Sequence, residues 1–259
     1  MENYKFSPGS PRHGQMDIKG RFSLWEFAEV FNVRNSEGLP YVLIGGQAVN
    51  YWAERYFQTE SELKALQPFT SEDIDFKGGK QDVKRIAEQL QLTEVYPSKV
   101  AMTALAGCVP FQIGDLKSNI EIVRTVPGIS GSIDALAIEA ELSGKIIRVL
   151  DPISLLACKM DLLATVSQEH RRDLEHIRIL VPCVRAFLRE FLLQVEQNEL
   201  PVRGWLGAAN RVLKLTSSSR SRKIARRSNI DWSEILPIQE IDQTKHEKII
   251  RFREHYVRR

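Results

Sequence analysis

Cysteines, long apolar runs and common nucleotide-binding fingerprints are scarce or absent in this sequence of 259 residues. Its three cysteines are widely spaced and form no C-x-x-C pair, a pattern typical of reduced thiols in a protein core rather than of a disulfide scaffold. No window approaches the roughly 18 consecutive apolar residues of a membrane span. Residues 1–20 contain no apolar stretch like that of a secretory signal. We therefore expect a cytoplasmic protein without a membrane partner.

Three families of sequence motif are also missing. The chain contains neither G-x-x-x-x-G-K-[ST] nor G-x-G-x-x-G, the two common nucleotide fingerprints, and no G-x-S-x-G nucleophile elbow. Its five histidines are scattered, and His170 and His176 lie six residues apart, a poor spacing for joint metal binding from one helix. A metal site built on these histidines is therefore not expected.

Charge is nearly balanced over the whole chain, at +3, but it is unevenly distributed. Residues 1–202 carry 22 Lys/Arg and 27 Asp/Glu, whereas residues 203–259 carry 14 and 6. This basic C-terminal segment predicts an anionic partner such as nucleic acid, the alternative being a merely solvated face. Within the segment, the Ser/Arg-rich stretch 217–223 is typical of a flexible basic linker, although it could also follow a phosphate backbone.

Hydrophobic periodicity divides the chain near residue 150. We expect a flexible arm over 1–20, an α/β region over 21–150, and a helical region over 151–259 that carries the basic C-terminal segment. The predicted strands are 41–44, 73–76, 109–113, 119–124 and 146–150. A polar connection is expected over 57–70. The predicted helices of the second region are 153–166, 169–180, 183–197, 203–215 and one near 244–257.

Two acids alternate with apolar residues in Asp73-Ile74-Asp75-Phe76. A strand would place Asp73 and Asp75 on one face, about 7 Å apart. Carboxylates this close repel each other unless a cation neutralises them, and magnesium prefers such oxygen ligands. Glu121 interrupts a later apolar strand, and if the two strands pair, three carboxylates converge. Solvated acids at a strand end are the alternative interpretation.

Glycines follow the first predicted strand in Ile44-Gly45-Gly46-Gln47. Such a strand-to-helix turn lets backbone N–H groups approach an anion, which the helix N-terminus also attracts. A tight turn that needs glycine only for its dihedral angles is the alternative.

These motifs, in this order, resemble the DNA polymerase beta-type nucleotidyltransferase superfamily. In the second region, Lys159 followed by Arg171-Arg172-Asp173-Leu174 is similar to AbiEii-type toxins, the nucleotidyltransferases of abortive-infection and toxin–antitoxin systems. The resemblance covers residues 40–182 and implies a small mixed-sheet nucleotidyltransferase domain followed by an all-helical domain.

The resemblance also implies roles for individual residues. Asp73, Asp75 and Glu121 would bind Mg²⁺, with Glu121 standing where the family more often has aspartate. The triphosphate would lie on four residues: Gly45, Gly46, Gln47 and Ser71. Lys159 would neutralise nucleotide phosphates, and Asp173 would orient Lys159 or the acceptor.

The function implied is Mg²⁺-dependent transfer of a nucleoside monophosphate from a nucleoside triphosphate to a hydroxyl of RNA, such as tRNA, or of protein. The basic C-terminal segment would place an RNA acceptor, and a cognate antitoxin would be a partner. One alternative is a catalytically weak or inactive module that binds nucleic acid or a protein. Another is nucleotidylation of a small hydroxylated molecule such as an antibiotic.

Overall fold

The computed structural model describes residues 20–257 of the chain. The predicted flexible arm therefore lies outside the described residues, apart from Gly20. Contacts divide the chain into two compact units. Of the described residues, the sheet unit contains 20–51 and Pro68–Asp151, and the helical unit contains Trp52–Gln67 and 152–257. Within the described range, no helix combines the length and the apolar character needed to cross a membrane.

Six strands form one mixed sheet in the order β3-β4-β2-β1-β6-β5. The strands are β1 (Val42–Ile44), β2 (Ile74–Lys77), β3 (Leu105–Ile113), β4 (Leu116–Val123), β5 (Ala137–Leu142) and β6 (Lys145–Leu150). Strand β1 is antiparallel to β2 and parallel to β6, while β2 is parallel to β4. Hairpins add the antiparallel pairs β3–β4 and β5–β6. The predicted fold class, a mixed-sheet α/β region followed by helices, is confirmed.

Side-chain alternation decides which face of the sheet is covered. Ile74 and Phe76 of β2 are buried, and the Phe76 ring packs edge-on against Phe31, with ring centroids 6.4 Å apart. Phe31 belongs to a 3₁₀ helix over Leu24–Asn32. The opposite face of β2 is only half-buried and carries its polar side chains. The apolar residues thus fix the orientation of the acids.

Eight α-helices lie within the described residues. They are α1 (Gly45–Tyr56), α2 (Lys80–Leu90), α3 (Pro152–Thr165), α4 (Asp173–Glu196), α5 (Val202–Thr216), α6 (Ser219–Ser228), α7 (Ile238–Gln243) and α8 (Glu247–Phe252). Further 3₁₀ segments cover Ser61–Leu66, Asp134–Leu136 and Trp232–Ile235, and Arg253–Val257 forms a π-helical turn.

The helical unit differs from the sequence expectation in three places. Helix α4 runs without a break through Pro182, where two helices were expected, because the buried residues Leu180, Val181, Cys183 and Val184 hold this stretch in the unit's core. The basic stretch is not a flexible linker but helix α6, whose N-cap Ser218 accepts a hydrogen bond from the Ser221 N–H at 3.1 Å. The connection over 57–70 contains a 3₁₀ turn with fully buried Leu63.

Candidate active site

Two acids of the sheet unit lie side by side. Strands β2 and β4 pair in parallel, and their register places Asp75 opposite Glu121. The sequence predicted that the acids would converge only if the strand of Asp75 pairs with the strand of Glu121, and these two strands do pair. Residues in register on neighbouring strands share a face and lie about 4.8 Å apart. The half-buried carboxylates of Asp75 and Glu121 thus form a row across the sheet.

Asp73 precedes β2 by one residue and lies two residues from Asp75. Its Oδ1 accepts a hydrogen bond of 3.2 Å from Nδ2 of Asn119 on β4. Asn119 is in turn two residues from Glu121, so both strands present polar side chains at the same alternate positions. The amide of Asn119 positions the Asp73 carboxylate.

The start of helix α1 meets this row at Asp75. Gly45, the first residue of α1, has a φ of +69°. A Cβ at this position would lie only 1.9 Å from Oδ2 of Asp75. Gly45 is therefore required both by its backbone conformation and by the carboxylate that lies against it. The N-terminal end of a helix favours a negative charge, so the carboxylate of Asp75 lies at the favourable end of the α1 dipole.

The other residues assigned to triphosphate binding differ in their surroundings. Gly46 follows Gly45 in the first turn of α1 and is buried. The Gln47 side chain is fully buried, donates to the Phe22 carbonyl at 3.0 Å and accepts from Asn50 at 3.0 Å. Only the backbone N–H of Gln47 is thus suited to an anion. Ser71 is half-buried, and its backbone forms two 2.9 Å hydrogen bonds with Phe22.

Lys159 and Asp173 form a buried ion pair inside the helical unit. Lys159 Nζ lies 3.2 Å from Asp173 Oδ1, and their side chains are 6% and 1% exposed. Arg171 Nε donates to the other Asp173 oxygen at 2.6 Å. This geometry differs from a snorkelling lysine and from a surface ion pair, the alternatives that composition alone leaves open.

Burial by itself would raise the pKa of Asp173, because it disfavours the charged form. The hydrogen bond from Arg171 and the charge of Lys159 outweigh this effect and hold the pKa of Asp173 below its ordinary value. Asp173 is also the first residue of α4, where the helix N-terminus favours an anion. The carboxylate is therefore ionised near neutral pH.

Three further side chains lie in or beside the acid row. Lys77 occupies the same face of β2 as Asp75, two residues on, and period-two alternation would have identified it. Cys108 of β3 is in register with Glu121. Because the Cys108 backbone bonds to Val95 on its other side, Cys108 and Glu121 form a non-hydrogen-bonded antiparallel pair, the kind with closer side chains. Asn119 and Cys108 carry no motif that predicts these contacts.

The row has the chemistry of hard oxygen ligands. Over residues 20–257, no group of three or more histidine, cysteine, aspartate or glutamate side chains is arranged to hold a metal ion. The sheet thus offers adjacent carboxylates on an accessible face rather than a closed cage.

No family model matches the sequence, and no curated protein matches it. Among solved structures, an antigenic nucleotidyltransferase-like protein from Paracoccidioides brasiliensis is similar at 14% identity with a TM-score of 0.41, over 63% of this chain and 78% of that chain. The antibiotic-resistance factor ANT(2'')-Ia is similar at 14% identity with a TM-score of 0.40, over 72% of this chain and 94% of that chain. At these scores the two likenesses assign no role to any residue.

Proposed function

We propose that the chain is a Mg²⁺-dependent nucleotidyltransferase that moves a nucleoside monophosphate from a nucleoside triphosphate to a hydroxyl of RNA, with tRNA as one candidate, or of protein. One observation carries the proposal: the Asp75 carboxylate lies against Gly45 at the start of α1, with Glu121 beside it on the next strand. Under this proposal, a helix start suited to an anion adjoins a pair of acids suited to a metal. A cytoplasmic toxin paired with an antitoxin is the biological setting that the sequence resemblance favours.

The residues present fit magnesium. Mg²⁺ is commonly held by one or two carboxylates plus substrate phosphates and keeps several waters, so it needs no all-protein cage. Asp75 and Glu121 supply adjacent carboxylates, and Asp73, which Asn119 orients, lies two residues before Asp75 without completing a three-ligand group. A triphosphate at the start of α1 would bring more negative charge to the place where Asp75 already lies. Such a crowding of anions requires a divalent cation between them.

Each residue then has a defined task. Asp73 and Asp75 would hold the metal, the backbone N–H groups of Gly46 and Gln47 would bind phosphate oxygens, and Glu121 would bind metal or accept the proton of the acceptor hydroxyl. Magnesium, when bound, supplies neutralisation of the charge that develops on the transferred phosphate and on the leaving pyrophosphate. The protein contributes positioning and electrostatics and forms no covalent intermediate.

Lys159 and Asp173 have a second, structural task. Their buried pair ties α3 to the first turn of α4. Under the proposal, Asp173 orients Lys159, and the ammonium group neutralises nucleotide phosphate. A Lys159→Met substitution separates the two tasks. If Lys159 binds phosphate, the substituted enzyme should have a higher KM for the triphosphate even where it remains folded.

Label transfer from each of the four nucleoside triphosphates, with Mg²⁺ and with total RNA and protein as acceptors, tests the proposal. We expect the wild type to label an acceptor and Asp75→Ala to lose transfer by at least about 100-fold. Asp115→Ala is the matched control, since Asp115 is an exposed aspartate in the β3–β4 turn of the same unit. Equal labelling by the wild type and Asp75→Ala would refute the enzyme and leave a non-catalytic binding module.

A further inference from the structure

Helix α6 concentrates positive charge to an unusual degree. Its ten residues, Ser219–Ser228, include five cations and no acid. The cations are Arg220, Arg222, Lys223, Arg226 and Arg227, and all five are exposed. Arg220 pairs with Asp161 of α3. In the part of the chain that the structure describes, no carboxylate pairs with the other four.

The helix is held firmly in the helical unit. Ser221 and Ile224 are its buried side chains. The Trp232 indole N–H donates to the Ser221 carbonyl at 3.0 Å, and Arg178 donates to the Ser228 carbonyl at 3.2 Å at the other end. The cations are therefore displayed on a fixed surface, which reduces the conformational entropy lost when a ligand binds.

A cavity of about 530 Å³ lies between α6 and the end of α3. Leu163 and Ala164 line it from α3, and the cations Arg220, Lys223 and Arg227 line it from α6. These three cations follow the i, i+3, i+7 spacing of one helix face and span about 10 Å along the axis. The described residues that line this cavity include no acid. Asp161 already pairs with Arg220, so the uncompensated positive charge that an entering anionic group meets comes from Lys223 and Arg227.

We propose that α6 and this cavity bind the sugar–phosphate backbone of nucleic acid. Arginine presents a planar fork of donors that suits phosphate oxygens, and four of the five cations are arginines. The helix carries no aromatic residue to stack on bases, so the phosphates rather than the bases are the groups that it is suited to bind. An acidic protein is a poorer fit. The core of a protein–protein interface is depleted in charged residues. On α6 the exposed side chains include the five cations, whereas the apolar Ile224 is buried within the unit.

This surface deepens the proposed function by naming how an RNA acceptor is held. It rests on that function only for the acceptor role, since phosphate binding at α6 needs neither triphosphate nor Mg²⁺. Binding and transfer can therefore fail separately.

Fluorescence anisotropy with the full-length chain and a labelled 20-nucleotide single strand, as RNA and as DNA, tests the surface over a range of salt concentrations. A plot of log affinity against log salt concentration has a negative slope. For Lys223→Ala/Arg227→Ala we expect this slope to become shallower by about 1.4, at about 0.7 per lost phosphate contact. This corresponds to about a 25-fold loss of affinity at 0.1 M salt. The difference between the RNA and DNA arms identifies the preferred polymer.

Lys245→Ala/Lys248→Ala is the matched control, because both lysines are exposed in the same basic segment outside α6. It should keep the wild-type slope, and Asp75→Ala should bind RNA as the wild type does. Equal salt slopes in the two double variants would overturn the inference. Tighter binding of labelled polyglutamate than of either nucleic acid would also overturn it. If the wild type transfers no label but its RNA binding depends on Lys223 and Arg227, only the proposed enzymatic activity is refuted.

Discussion

At the scale of single residues, Gly45 is subject to two separate requirements. Its φ of +69° lies in the left-handed region, and its missing side chain leaves room for the Asp75 carboxylate. Gly144, in the β5–β6 turn, has a similar φ of +75° but no atom within 4 Å of its Cβ position. The two glycines therefore separate backbone strain from steric contact.

Gly45→Ala should destabilise the protein more than Gly144→Ala does. We expect about 1–2 kcal/mol for Gly144→Ala from backbone conformation alone, and a larger loss for Gly45→Ala because Asp75 must also move. Only Gly45→Ala should reduce nucleotidyl transfer, by at least about 10-fold. Urea unfolding and label-transfer rates measure the two effects. Equal stability losses would show that the Asp75 contact contributes nothing.

Glu121→Gln should reduce transfer by about 100-fold or more while leaving stability unchanged or slightly higher. The substitution removes a ligand or base, and it also removes a like charge beside Asp75. Glu141→Gln, at an exposed position on β5 of the same sheet, is the control and should change neither quantity. Initial rates measure the catalytic role of the Glu121 charge, and denaturant midpoints measure its repulsion of Asp75. Wild-type rates from Glu121→Gln would remove this residue from the site.

At the scale of secondary-structure elements, the 3₁₀ segment Ser61–Leu66 is attached to α4 through Glu60. The Glu60 side chain is 2% exposed and bonds to both Arg185 and Arg189 of α4, the latter at 2.6 Å. Glu62 pairs with the same Arg185 but is 50% exposed. These two acids therefore share the partner Arg185 but differ in burial, and Glu60 has Arg189 as a second partner.

Glu60→Gln should lower the free energy of unfolding by about 3–5 kcal/mol, because it removes the charge of a buried acid and leaves two half-buried guanidinium groups with reduced compensation. Glu62→Gln should lower it by at most about 1 kcal/mol, since solvent screens the exposed pair. Chemical denaturation followed by tryptophan fluorescence provides both values. Similar losses in the two variants would contradict the role of burial.

Asp173 makes the stability of the α3–α4 pair dependent on pH. Its folded pKa lies below the ordinary aspartate value of 3.8, so its stabilising contribution is complete above pH 3.8 and is lost as pH falls through the folded pKa. Asp173→Asn should cost about 3–5 kcal/mol at pH 7, and this difference from the wild type should shrink below pH 3.8. Asp242→Asn, which removes a half-exposed ion-pair partner of Arg253, should cost at most about 1 kcal/mol. A difference for Asp173→Asn that is independent of pH would contradict the linkage.

The elements also show how far local sequence signals reach. The acids of β2 and β4 were predictable because period-two alternation directly reports which face is apolar. Helix α6 was not, since its Ser and Arg residues are typical of a linker, whereas in the structure Ser221 and Ile224 are buried and the Trp232 indole bonds to the Ser221 carbonyl. The same holds for Glu60, whose burial depends on arginines more than 120 positions later in the chain. Tertiary pairing of this kind leaves no local pattern.

At the scale of the whole molecule, the chain leaves the sheet unit after Tyr51, returns at Pro68 and leaves again after Asp151. The excursion 52–67 is built into the helical unit. Trp52 packs against Phe187 at 5.7 Å between ring centroids, and the Tyr56 hydroxyl donates to Glu190 at 2.8 Å. A cut near residue 150 therefore removes the partners of this excursion.

A fragment comprising residues 1–151 should expose Trp52, Tyr56 and Leu63, all of which are buried in the intact chain. We expect it to bind the dye ANS and to unfold with lower cooperativity than the full chain, because these three apolar side chains lose the residues that bury them and become exposed to solvent. Dye fluorescence and thermal melts measure this. A fragment with a sharp transition and no dye binding would show that the excursion is dispensable.

The pairing of Cys108 with Glu121 has a practical consequence. Cys158 and Cys183 are buried, and burial raises the pKa of the Cys183 thiol, whereas Cys108 is only half-buried. A maleimide fluorophore will therefore attach first at Cys108, without any engineered cysteine. The dye would lie next to the acid row, where its emission responds to the arrival of a cation or a nucleotide. The chain thus carries its own attachment point for an optical sensor of its candidate active site.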